Sequence, residues 1–293
     1  MENCNIHAVG ASAGRTQGAS LHLRGITAVF FSPCSGTAGR VGLLCSALAQ
    51  RLGLPVRRVD YTLPAARVQL PPFGPYELVV WGSPVYAGRL PNKLKDYVEA
   101  SLRGEGSPFV GLVTFGNRSH GDALSELVGL ARRGGLRPIG AAALAMPHVF
   151  SALIAAGRPT AADDEGLLRF ADAVAEAVVG GVGCLPPFGN ESPDAYYTPL
   201  RVDGSPARFL KATPQADVRL CTRCGLCATV CPMGSVSMEG LPRFGGVCIK
   251  CQACISACRR GALSFADGDF RSHVAMLEQT FTCPAPNVFY TLQ

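Results

Sequence analysis

No apolar run in this sequence is long enough to cross a bilayer. The longest apolar stretch, Ala141 to Ala156, is broken by Pro147 and His148, whereas a spanning helix needs about 20 apolar residues. Residues 1–20 lack the charged start and apolar block of a signal peptide. They are rich in Gly, Ala, Ser and Asn, and read as a disordered or over-extended tail (1–23). With nothing directing the chain to an oxidising compartment, its thirteen cysteines are not expected to form a disulfide framework, and the expected location is the cytoplasm. Glycine and proline are abundant but have no collagen-like period. Tryptophan is confined to Trp81, at a strand end, and only His120 and His148 among the five histidines lie near a candidate loop.

What the chain does have is a repeated cysteine spacing. Cys221, Cys224, Cys227 and Cys231 form one C-x2-C-x2-C-x3-C run, and Cys248, Cys251, Cys254 and Cys258 form the second. Three thiolates within seven residues wrap three corners of a cubane iron–sulfur cluster, and the fourth, at x3, serves the partner cluster. The expected ligand sets are therefore Cys221, Cys224, Cys227 and Cys258 for one [4Fe–4S] cluster, and Cys248, Cys251, Cys254 and Cys231 for the other. A pair of zinc sites is the competing reading, because C-x2-C is also zinc spacing. Zinc knuckles, however, have no use for a third cysteine at the same interval, repeated twice. This part of the chain, about residues 213–268, resembles the bacterial two-cluster ferredoxins.

Ahead of it lies an alternation of strand and helix patterns. Strands are expected at Gly25–Ser32, Leu54–Asp60, Glu77–Ser83, Pro108–Gly116 and Arg137–Ala145. Helices are expected at Arg40–Arg51, Leu90–Leu102, Asp122–Arg133 and Asp163–Val179. Short β-branched runs between helical periods predict an α/β domain, a doubly wound five-stranded parallel sheet over 24–183. A proline-rich linker (184–212) joins it to the small α+β cysteine domain. The tail, 269–293, shows one helical stretch (Phe270–Gln279) and no functional signal.

Ligands of such sheets bind beyond the carboxyl ends of the strands. Three loops occupy that position. The first runs from Ser32 to Gly39 and opens a helix; its Ser32, Ser35, Gly36, Thr37 and Ala38 suit a phosphate held against a helix N-terminus. The second offers Ser83, Pro84, Val85, Gly88 and the aromatic plane of Tyr86. The third offers Phe115, Gly116, Asn117 and Arg118. These loops resemble the FMN-binding loops of flavodoxins, and the chain as a whole resembles the fused flavodoxin–ferredoxin proteins of anaerobic bacteria. The first loop departs from that family: Cys34 stands as an insertion after Ser32-Pro33, and Ala38 replaces the last threonine. At a helix start, Cys34 is expected to have a lowered thiol pKa. Cys4, Cys45, Cys184 and Cys283 read as free thiols.

The resemblance implies FMN and two [4Fe–4S] clusters in one electron-transfer chain that serves a redox partner protein. The formal charge of +6 does not then call for nucleic acid. Each cluster with its four thiolates adds about −2 to a count made with neutral cysteines, and a flavin phosphate adds roughly −2 more. Two other readings stay open: a flavin-dependent reductase of a small substrate, with His120 or His148 as acid or base, and a redox sensor or reductive activator. Arg259-Arg260, after the second motif, reads as a tuning element, a docking patch or plain solvated charge. Oligomeric state is not readable.

Overall fold

The computed structural model describes residues 22–34, 36–181, 183–193 and 195–292. Its first part alternates β1 (Gly25–Phe30), α1 (Gly36–Leu52), β2 (Val56–Asp60), β3 (Glu77–Pro84), α2 (Lys95–Ser101), β4 (Pro108–Phe115), α3 (Ala123–Arg133), β5 (Arg137–Ala145) and α4 (Ala161–Val179). The five strands pair in parallel, in the spatial order 2-1-3-4-5 of flavodoxin-like sheets. Every residue of β4 is buried, as a central parallel strand covered on both faces must be. One face packs Leu44 and Leu48 of α1 with Leu167, Phe170 and Val174 of α4. The other packs Val98 of α2 with Leu124, Leu127 and Val128 of α3. The helices lie where the 3.6-residue apolar spacing puts them, except that α2 begins only at Lys95, after a 3-10 turn at Asn92–Leu94, and not at Leu90. α1 starts four residues earlier than expected, so the first loop is shorter than its glycines suggested.

Beyond α4, the described residues of segment 184–212 form no helix or named strand, then the small domain follows: β6 (Gln215–Ala216), α5 (Leu226–Thr229), β7 (Val236–Glu239), β8 (Leu241–Phe244), α6 (Ala253–Ala257) and β9 (Leu263–Ser264). β6 pairs with β9, and β7 with β8, both antiparallel.

The tail corrects the expected strand count. After α7 (Gly268–Thr280), β10 (Val288–Thr291) returns to the first domain and pairs antiparallel with β5, so the sheet has six strands. Phe289 lies tilted against Phe170, with centroids 5.4 Å apart, on one face. Tyr290 stacks on Phe188 at 4.1 Å on the other. The alanines of β5 leave room for these rings, and the added strand covers an edge that would otherwise present unpaired backbone. No helix of the described residues is long and apolar enough to cross a membrane.

Candidate functional site

The two cysteine runs fold as a structural repeat. Arg223 and Lys250, each just before a second cysteine, are left-handed at φ 59° and 57°; Gly225 and Gln252, just after, are left-handed at 79° and 64°. A short helix follows in each, and in each the fourth cysteine's sulfur accepts a backbone N–H four residues on. Ser235 N donates to Cys231 Sγ and Ala262 N to Cys258 Sγ, both at 3.3 Å.

Cys221, Cys224, Cys227 and Cys258 line one hollow; Cys231, Cys248, Cys251 and Cys254 line a second, narrower one. The side chains of each set ring their hollow without converging on a point: no three His, Cys, Asp or Glu side chains of the described residues come close enough to share a single ion. Burial pushes the Cys251 and Cys254 thiols up to about 12. The twelve described cysteines are all free thiols; Cys4 lies outside the described residues.

The three loops after β1, β3 and β4 meet at the carboxyl edge of the sheet, around a cavity of about 900 Å3. That is toward the upper end of the roughly 300–1,000 Å3 of small-molecule sites. Ser32, Gly36, Thr37, Pro84, Val85, Tyr86, Phe115, Gly116 and Arg118 line it. Four other expected residues lie off its wall. Ala38 sits in α1, where its N–H donates to Ser32 Oγ at 2.9 Å. Ser83 is buried, with its hydroxyl turned to the Pro84 carbonyl. Gly88 serves the loop's own geometry, accepting from Asp122 N at 2.9 Å. Asn117 is fully used by the tail: its Nδ2 donates to the Phe281 and Cys283 carbonyls at 3.0 and 2.9 Å, and its Oδ1 accepts from Ala285 N at 2.7 Å. Ser35 lies outside the described residues.

Within the first loop, Ser32 Oγ accepts a helix N–H, and no acceptor among the described residues takes its own proton. Thr37 is buried and shares a hydrogen bond of 2.7 Å with Thr114. Arg118 lies over the Tyr197 ring at 3.8 Å from its centroid. Burial lowers its pKa, and only Tyr197 opposes that; among the described residues it has no carboxylate partner. The second loop is braced from beneath by a buried ion pair: Arg89 Nε and Nη2 donate to Glu126 at 2.9 and 2.6 Å, and Leu90 N donates to Glu126 as well at 3.0 Å.

Sequence reasoning missed the opposite wall. Val247 to Cys251, the loop that carries the first two cysteines of the second run, closes the cavity together with Tyr196, Tyr197, Phe209 and His273. Tyr197 N donates to the Ala87 carbonyl at 2.9 Å and Tyr196 Oη to the Leu90 carbonyl at 2.8 Å, so the proline-rich segment straps the second loop. Cys34 Sγ donates to the Cys251 carbonyl at 2.9 Å. The expectation of a lowered Cys34 pKa is thereby corrected: the sulfur is half-buried under the cysteine domain, and desolvation raises its pKa, with a weaker opposing bond to Ser256. Arg67 also donates across, to the Pro232 carbonyl. Tyr86 turns its hydroxyl into this junction, buried and with no hydrogen-bond partner among the described residues. Burial raises its pKa first, then the neighbouring Cys251, Cys34 and Cys248.

Of the two histidines, His148 lines the cavity and His120 packs edge-on against Phe115 at 5.6 Å. His148 Nδ1 accepts from Phe150 N at 3.1 Å, which places its proton on Nε2. Burial, then His273 and Arg118, pushes its pKa down to about 4, so the ring is neutral near pH 7. A side chain at position 116 would collide with this ring, at 2.4 Å from Cδ2, which explains the glycine there.

Residues 214–237 match the family model described as a 4Fe-4S binding domain. No curated protein matches the chain. Among solved structures, this chain is similar to a flavodoxin from the domain Archaea, at 16% identity and a TM-score of 0.39, covering 52% of this chain and 97% of that one. It is similar to two-electron reduced Megasphaera elsdenii flavodoxin at 14% identity and a TM-score of 0.36, covering 52% and 99%. It is also similar to the rubredoxin oxygen:oxidoreductase of Desulfovibrio gigas at 14% identity and a TM-score of 0.39, covering 54% of this chain and 37% of that one. The chain thus joins a flavodoxin-like α/β sheet, recognised by its strand order, to a 4Fe-4S binding region.

Proposed function

We propose that this chain carries electrons between FMN, held in the large cavity, and two [4Fe–4S] clusters, and passes them on to a redox partner. The observation that carries this reading is the shared wall: one cavity is bounded by the three sheet loops on one side and by Val247–Cys251 on the other. The residues fit the groups. A cubane places one thiolate on each of four irons, which suits four cysteines lining one hollow. Bound iron would also hold the buried Cys251 and half-buried Cys254 deprotonated. Ser32 and the α1 N-terminus suit the FMN phosphate, Arg118 supplies a half-buried cation, and Tyr86 and Val85 supply apolar surface for the ring. When bound, FMN exchanges electrons singly or in pairs and each cluster one at a time; the protein sets spacing and environment.

In this reading the hollow of Cys231, Cys248, Cys251 and Cys254 is proximal to the flavin, and that of Cys221, Cys224, Cys227 and Cys258 is distal. Exposed Arg223, Arg259 and Arg260 rim the distal hollow, which suits an acidic partner. The test is anaerobic purification followed by iron, sulfide and flavin analysis. Iron and acid-labile sulfide in equal amounts for two clusters, with one FMN, are expected; stoichiometric zinc without sulfide contradicts the reading. Electron exchange with an acidic one-electron carrier should slow as salt is added, because screening weakens exposed charge pairs. A rate indifferent to salt would remove the arginine rim from the docking account.

One observation favours a second reading, reduction of a small substrate in the same cavity: neutral His148 and His273 both stand on its wall. Reoxidation of the reduced protein by a small organic acceptor, abolished in His148→Gln, would establish it.

A further inference from the structure

The two cysteine runs repeat each other, but they differ at a position whose backbone disfavours a side chain. The residue after the second cysteine is left-handed in both, and the first run places Gly225 there while the second places Gln252, at φ 64°. Glycine adopts this conformation freely, whereas a residue with a Cβ is strained in it. Such strain persists only where the surroundings impose it, and it gathers at functional sites.

The side chain of Gln252 shows what it faces. The residue is 6% exposed and lines the hollow of Cys231, Cys248, Cys251 and Cys254. Its amide nitrogen is buried and has no hydrogen-bond partner among the described residues. A buried donor left unpaired costs more than a hydrogen bond gains. The hollow therefore requires an acceptor, and the sulfides and thiolates of a cubane offer acceptors only, which fixes the nitrogen as the inward atom of the amide. No counterpart exists in the distal run, where Gly225 has no side chain.

We propose that the Gln252 amide donates a hydrogen bond to a sulfur of the proximal cluster and raises the reduction potential of that cluster alone. The inference rests on the reading above that this hollow holds a [4Fe–4S] cluster. Reduction adds negative charge to the cluster, and a donor at sulfur stabilises that charge, so hydrogen bonds to sulfur raise the potential. The cluster beside the cavity thereby draws electrons from it more strongly than its cysteine ligands alone would allow.

The experiment is potentiometry of the intact holoprotein followed by EPR, comparing the natural protein with Gln252→Gly and Gln252→Met. Gln252→Gly makes the second run copy the first and relieves the backbone strain; Gln252→Met keeps side-chain bulk without the donor. Both variants should retain iron and sulfide. In both, the midpoint of one cluster should fall by about the 59 mV that corresponds to a tenfold one-electron change, while the other stays in place. The moving signal should be the one lost on Cys254→Ala. Two unmoved midpoints in fully loaded variants overturn the proposal, as does a shift in Gln252→Gly that Gln252→Met lacks. Absence of iron and sulfide from the natural protein would instead overturn the cluster reading itself.

Discussion

If the proposed crossed ligation holds, changing Cys258 to Ser is expected to cost the protein the distal cluster, assigned to the other run of cysteines, and to spare the cluster assigned to its own run. The reason is spatial. Cys258 lines the hollow of Cys221, Cys224 and Cys227, turned away from Cys248, Cys251 and Cys254 by the left-handed turns and short helix between them. About half of the bound iron should be lost. Which half can be read from double variants, because changes that act on one unit are not additive. Adding Cys224→Ser to Cys258→Ser should remove little further iron, since that cluster is already gone. Adding Cys251→Ser should remove the remainder. The reverse pattern would mean that each run binds its own cluster. Equal losses from both additions would mean that the two sites assemble together. FMN content should be unchanged in Cys258→Ser, because Cys258 lines the hollow of Cys221, Cys224 and Cys227 and not the large cavity.

Glu126→Ala should be the most damaging single change in the first domain. Arg89 and Glu126 are 3% and 1% exposed in their side chains. Burial pushes the Glu126 carboxyl up, but the Arg89 guanidinium and the Leu90 N–H outweigh it and hold its pKa below the usual range. Removing one partner of a buried pair leaves an uncompensated charge, at about 3–5 kcal/mol. The loss falls on the segment that carries Tyr86, so weaker FMN binding should accompany lower stability. Because a protein with bound clusters does not unfold in one reversible step, the measurement is hydrogen exchange across residues 82–91 together with FMN affinity. Arg89→Met with Glu126→Met should recover much of the loss, since an apolar pair of similar volume leaves no buried charge. A Glu126→Ala variant with natural exchange rates and FMN affinity would show that the pair does not hold the loop.

The sequence carried the parts of this molecule that local spacing encodes. Two cysteine periods, five β-branched runs and the helical repeats between them are each a few residues long, and each is legible without its neighbours. The contacts that join the domains are not of that kind. Cys34 meets the Cys251 carbonyl across 217 residues of chain, so nothing local could show that the inserted cysteine is half-buried under the Val247–Cys251 loop. Asn117 sits in a loop whose pattern suits a ligand, yet its amide is spent on a tail more than 160 residues away. β10 is only four residues long and follows a Pro-Ala-Pro run, too short to display a strand period. The linker's tyrosines did suggest packing by their chemistry alone; which loop they strap became visible only in three dimensions.

The central claim is that the flavin and the proximal cluster face each other within one molecule, and intramolecular electron transfer tests it most directly. Protein loaded with FMN and both clusters is prepared anaerobically, the flavin alone is reduced by a light pulse, and the flavin and cluster absorbances are followed in time. The account predicts that the flavin is reoxidised as a cluster is reduced, at a rate independent of protein concentration, and that Cys254→Ala abolishes this phase while FMN stays bound. Transfer whose rate rises with protein concentration, or a flavin that stays reduced beside intact oxidised clusters, would contradict it.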